Sequence, residues 1–68
     1  MIMKIGERIK ELRIENNLSQ SKLAEEIGVS QKAIDFWERQ VNEPKASYII
    51  KLVKFFDLSF NDFFEDVE

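Results

Sequence analysis

Side chains able to read or hold another molecule are concentrated between Ser19 and Trp37 of this 68-residue chain. The amide of Gln31 both donates and accepts, so it can pair with the N6 and N7 edge of adenine. Lys32 can donate to guanine O6 and N7 or to a phosphate, and the methyl of Ala33 can touch a thymine methyl. These three follow Ser30, whose hydroxyl is suited to cap a helix, so the pattern puts them in a first helical turn. Acid–base and nucleophilic chemistry is poorly supplied by contrast. The chain has no cysteine and no histidine, which removes thiolate chemistry, the usual general base and the commonest metal ligand. Catalysis would need paired carboxylates in a cleft, and so short a chain offers little cleft. No enzyme activity, metal, cofactor or small-molecule ligand is expected.

The elements that must position these residues are helical, because apolar residues recur at helical spacing and β-branched alternation is absent. Helix 1 is expected over about Lys4 to Asn16, with Ile5, Ile9 and Leu12 on one stripe and Asn16-Asn17 ending it. Ser19 caps helix 2, which turns Leu23, Ala24 and Ile27 inward and stops at Gly28. Ser30 caps helix 3, with Val29, Ile34 and Trp37 inward and an end near Arg39 or Gln40. A loop, Val41 to Pro44, leads to helix 4 over about Ala46 to Phe56, which buries Ile49, Leu52, Val53 and Phe56. Ser59-Phe60-Asn61-Asp62 has the form of a capping box and opens a short helix 5 holding Phe63 and Phe64. The expected fold is all-α, a compact five-helix bundle forming one domain over residues 1–68, with no repeat or linker.

Within that bundle, Ser19 to Trp37 reads as a helix-turn-helix. Ala24 is small where two crossing helices approach, Gly28 supplies a positive φ at the bend, and Val29 fills the angle. In such a unit helix 2 lies across a nucleic-acid backbone and helix 3 offers its N-terminal side chains to base edges. The net charge of −3 runs against the basic surface usual for a DNA binder. The acidity is local, however. Residues 1–18 carry a net +1, residues 19–45 a net −1, and residues 46–68 a net −3, from Asp57, Asp62, Glu65, Asp66 and Glu68. No apolar run approaches the roughly 20 residues that span a bilayer, and Met1 to Lys4 holds no signal-peptide stretch. The expectation is a cytoplasmic protein.

Ile5-Gly6-Glu7-Arg8-Ile9-Lys10-Glu11-Leu12-Arg13, Leu18-Ser19-Gln20, Leu23 to Ser30 and Ile34 to Arg39 together resemble the Cro/C1-type, or xenobiotic-response-element, helix-turn-helix family. Pro44, Leu52, Phe56 and Leu58-Ser59 continue the resemblance, which covers roughly residues 4 to 64. It implies a lambda-repressor-like fold and a sequence-specific transcription regulator, a repressor by type, binding double-stranded DNA as a homodimer on a palindrome. It implies that Ser19 and Gln20 open the helix on the DNA backbone, Gln20 meeting a phosphate and bracing the next helix. Gln31, Lys32 and Ala33 then match the first turn of the recognition helix, Asp35 and Phe36 its later outward positions, and Arg39 a phosphate contact. Arg13 and Glu38 match a structural ion pair between helices 1 and 3. The chain departs from the family at Gln40, where glycine is usual, and in a loop, Val41-Asn42-Glu43, without basic residues. A left-handed backbone at Gln40 would cost about 1–2 kcal/mol, and Asn42 is the alternative site for that turn.

Not all of Phe55, Phe56, Phe60, Phe63 and Phe64 fit inside so small a bundle. Tyr48, Phe60 and Phe64 are the candidates for a dimer surface. The acidic tail, the loop and the apolar Phe36 support an alternative function, a protein-interaction module of adaptor or antitoxin type that kept the fold and lost DNA.

Overall fold

Each expected apolar stripe becomes a helix, and a repeated three-residue joint sets the angles between several of them. The computed structural model describes residues 2–68. Its helices are α1 (Ile5–Glu15), α2 (Gln20–Ile27), α3 (Gln31–Glu38), α4 (Ala46–Phe55) and α5 (Phe60–Phe64). They enclose one core of Ile9, Leu12, Leu23, Ala24, Ile27, Ile34, Trp37, Leu52, Val53 and Phe63. Pro44 is buried as well, and Ile5, Val29, Ile49 and Phe56 pack half-buried against the core's edge.

The joints share one chemistry. Asn17-Leu18-Ser19, Gly28-Val29-Ser30 and Asp57-Leu58-Ser59 each run left-handed residue, apolar residue, serine cap. The first residue takes a φ of 56°, 84° or 58° and turns the chain out of the preceding helix. The next residue sends its N–H back to a carbonyl five residues earlier, at 3.0, 3.0 and 3.1 Å. Its apolar side chain leans on the core, as in the C-terminal closure that satisfies orphan carbonyls. The serine hydroxyl then accepts the N–H three residues on, at 3.0, 3.1 and 3.0 Å. One device therefore ends a helix, inserts an apolar plug and starts the next helix.

Four expectations are corrected at the element ends. Lys4 is the N-cap of α1 and lies outside it, and Glu15 is its last residue. Arg39 and Phe56 are caps of α3 and α4, so those helices stop at Glu38 and Phe55. Gln40 itself takes the left-handed turn, with φ 62°, and Asn42 does not. It closes α3 as glycine would, with Val41 donating back to Phe36 at 2.9 Å. The chain ends also meet. Met3 pairs with Val67 in an isolated parallel bridge, through Met3 N–H to Asp66 O at 2.7 Å and Glu68 N–H to Met3 O at 3.0 Å.

Two residues of α1 place it on the rest. A Cβ at Gly6 would fall well inside contact distance of the Trp37 carbonyl oxygen, so only glycine lets α1 approach the end of α3. Arg8 donates to the Phe63 and Asp62 carbonyls, each at 2.8 Å, and so covers the exposed end of α5 while pairing with Glu11. Gly6→Ala is expected to push the two backbones apart and lower the unfolding free energy by about 2–3 kcal/mol. Urea denaturation followed by Trp37 fluorescence checks this.

Candidate nucleic-acid interface

Helices α2 and α3 form the most extensive helix–helix contact of the fold and are joined through the left-handed Gly28 bend. Their N-termini are built alike. Ser19 and Ser30 occupy one backbone N–H each, and neither helix carries a carboxylate in its first turn. The N–H groups of the first two residues, Gln20-Ser21 and Gln31-Lys32, are left without intrahelical acceptors. Each helix therefore presents an uncompensated positive end, the electrostatic setting that holds phosphate.

Gln31 and Lys32 are exposed, and among the described residues neither side chain makes a hydrogen bond or ion pair with the protein. Their polar ends are free to meet a ligand. Ala33 is half-buried behind them. Phe36, also half-buried, lies between two cations, with Lys32 Nζ and Arg39 Cζ each 5.5 Å from its ring centre. The ring thus gathers Lys32 and Arg39 onto one face at i−4 and i+3. A shallow hollow beside this face is lined by Lys32, Phe36, Asn42, Lys45 and Tyr48 among others. Lys45 adds a basic group at the start of α4 that has no counterpart in the expected set.

Beneath that face lies a chain of paired charges. Arg13 and Glu38 form the expected pair in a two-pronged geometry, Nε to Oε2 at 2.7 Å and Nη2 to Oε1 at 2.9 Å. Their side chains are only 13% and 3% exposed. The hydrogen bond to Glu38 raises the Arg13 pKa further, against the opposing effect of burial. The remaining Arg13 nitrogen donates to Leu18 O at 2.8 Å, in the joint before α2. Gln20 Nε2 lies 3.2 Å from Glu38 Oε1 and 3.4 Å from Asp35 Oδ1. Asp35 in turn accepts from Arg39, at 2.9 Å from Nε and 2.7 Å from Nη2. The Asp35 charge, at an outward position of α3, is therefore paired. Its pKa is lowered, first by the Arg39 hydrogen bond and then by Gln20, with desolvation opposing both.

On α2, Glu25 and Glu26 lie within ion-pair reach of Lys22, at 3.7 and 3.2 Å, on an exposed face. Of the three aromatics expected at a dimer surface, Phe60 alone is an open apolar side chain, 52% exposed. Tyr48 leans on Trp37 with ring centres 5.7 Å apart, and Phe64 sits edge-on to Phe63 at 5.1 Å. Both are half-buried against the core. Phe55, exposed at the end of α4, was not among the three.

Two crossed helices joined at Gly28, with polar side chains free at the start of the second, define a helix-turn-helix domain. The family model described as helix-turn-helix matches residues 9–63, and the chain belongs to that family, of Cro/C1 type. It is 36% identical over 63 residues to the HTH-type transcriptional regulator PuuR of Escherichia coli, covering 93% of this chain and 34% of PuuR. It is 33% identical over 60 residues to the HTH-type transcriptional activator BcrR of Enterococcus faecalis, covering 88% of this chain and 29% of BcrR. The chain thus spans about a third of the length of these relatives. Among solved structures it is similar to the P22 c2 repressor in complex with a synthetic operator, with a TM-score of 0.83, 31% identity, and coverage of 94% of this chain and 97% of that one. It is also similar to SinR, a master regulator for biofilm formation, in complex with DNA, with a TM-score of 0.79, 32% identity, and coverage of 90% and 98%.

Two outcomes test the charge chain. Glu38→Ala leaves a guanidinium in a nearly dry site and should cost about 3 kcal/mol, whereas joint replacement of Arg13 and Glu38 by Met and Leu should recover most of it. Urea titration of the three proteins measures both. The folded Asp35 pKa lies below the unfolded one, so its pairing stabilises the fold above the unfolded value of about 3.9 and is lost as pH falls through the folded value. A carboxyl NMR titration should show an Asp35 midpoint below about 3.9 that rises in Arg39→Ala.

Proposed function

We propose that this domain binds double-stranded DNA as a transcription regulator, reading the major groove with the first turn of α3. The observation that carries the reading is the free, exposed pair Gln31 and Lys32 at an uncompensated helix N-terminus. The family membership and the DNA-bound relatives of the same fold support it. In this reading the N-termini of α2 and α3 take phosphates on backbone N–H groups, while Lys32, Arg39 and Lys45 supply the cationic field. Gln31 reads adenine and Ala33 a neighbouring thymine methyl. Phe36 offers an apolar surface at the same face. Repression is the proposed mode.

We further propose a homodimer on a palindromic site, its two recognition helices about 34 Å apart. Phe60, with Tyr48 and Phe64 beside the core, is the proposed contact. The reading as a protein-interaction module has less support, because the acidic side chains nearest the interface, Asp35 and Glu38, are paired with arginines.

The test is a duplex enriched from a random library by the protein itself, compared with a random duplex over a salt series. Binding should weaken steeply as salt rises, through counterion release. Gln31→Ala should cost about 1–3 kcal/mol on the enriched duplex and relax discrimination at one base pair. Equal binding of the two duplexes at low salt would overturn sequence-specific recognition.

A further inference from the structure

Phe36 is half-buried, yet it stands neither in the core nor among the half-buried apolar residues that pack on the core. Its ring meets cations instead. Lys32 Nζ lies 5.5 Å from the ring centre, and Arg39 Cζ lies 5.5 Å from it. Both fall within the roughly 6 Å over which a ring quadrupole attracts a cation. Positions 32, 36 and 39 are spaced four and three apart, so the three side chains form one stripe of α3, from its first turn to its cap. Among the described residues the Lys32 ammonium makes no hydrogen bond or ion pair, so the ring is what restrains it. Arg39 is held from a second side, because Asp35 accepts from its Nε and Nη2. A guanidinium carries five N–H groups, and those two contacts leave three free to meet another anion.

We propose that Phe36 is a positioning residue for DNA binding: its ring sets the Lys32 ammonium and the Arg39 guanidinium in one row before DNA arrives, ready for backbone phosphates. This role rests on the DNA-binding reading. A lysine side chain in water samples many rotamers, and ordering it on a ligand is unfavourable. A ring that already orders it removes part of that cost. The ring also leaves the cations able to bind, since it occupies one side of each and the outward N–H groups stay open. Contact with DNA then strengthens the attraction, because water no longer competes for either cation. Both effects act on phosphate contacts, which every duplex offers alike. Phe36 therefore raises affinity for all sequences, whatever base its own edge meets. The local charge supply fits this need. The loop after α3, Val41-Asn42-Glu43, carries no basic residue, so few cations are at hand and each has to be well placed.

Fluorination tests this with little change to the size of the ring, since fluorine draws negative charge from the ring face and leaves the side chain apolar. Mono-, di- and trifluorinated phenylalanines are placed at position 36 and compared with the parent on the enriched and random duplexes across a salt series. Affinity should fall stepwise with fluorination, to about a tenth of the parent's for the trifluorinated protein, and equally on both duplexes. The slope of log affinity against log salt should stay that of the parent, because both cations remain. In Lys32→Met, which keeps the stem and loses the charge, the fluorination series should be flatter. Unchanged or rising affinity along the series would overturn the proposal. So would a loss confined to the enriched duplex, or a series as steep in Lys32→Met as in the parent. The free protein gives a second readout independent of DNA. Ring current should move the Lys32 Hε and Arg39 Hδ protons upfield of those in the other lysines and arginines, and Phe36→Leu should return them to ordinary positions. Ordinary shifts in the parent overturn the cation cluster, whereas failure of the parent to bind any duplex sinks the DNA-binding reading and leaves the cluster standing.

Discussion

The two-pronged pair between Arg13 and Glu38 is the interaction on which the arrangement of the other elements turns. It fixes α1 to α3 across 25 residues of sequence. With its third hydrogen bond Arg13 also holds the Leu18 carbonyl, and so the joint that launches α2. Glu38 passes the constraint on to Gln20, at the start of that same helix. Three helices are thus referenced to one pair of planar groups. Burial makes such a pair a weak source of net stability, because both charges lose water. Its contribution lies in geometry, since a guanidinium fork and a carboxylate fit in few ways.

The charge chain also reconciles an acidic protein with an anionic ligand. Every carboxylate of α3 is claimed by an arginine. The first turns of α2 and α3 hold none. The excess negative charge lies instead between Asp57 and Glu68, around α5, which packs on α1. Net charge therefore describes the molecule poorly, and the local field at two helix ends describes it better.

A second economy lies in the joints. The same left-handed residue, apolar residue and serine recur at 17–19, 28–30 and 57–59. Only the joint between α2 and α3 uses glycine in that position. Asparagine and aspartate tolerate the left-handed backbone well enough elsewhere, and Gln40 adopts it after α3 at some cost. The two helix N-termini of the interface are thereby set by short-range rules, while their relative placement is set by the core and the charge chain.

What the sequence determined by itself was whatever depends on neighbours in the chain. Serine caps, apolar stripes, Gly28 and the polar opening of α3 all act within a turn or two, and the five helices and their order followed from them. The Arg13–Glu38 pair was legible only through the family resemblance, because nothing local links positions so far apart. Tertiary structure alone decided the rest. Gly6 is required by a backbone that arrives from residue 37, and Arg8 caps a helix more than fifty residues away. Which phenylalanines stay exposed, how residue 3 meets residue 67, and whether Asp35 stands bare or paired were likewise settled in three dimensions. Each depends on groups brought together by the packing of whole helices, and such meetings leave no periodic trace along the chain.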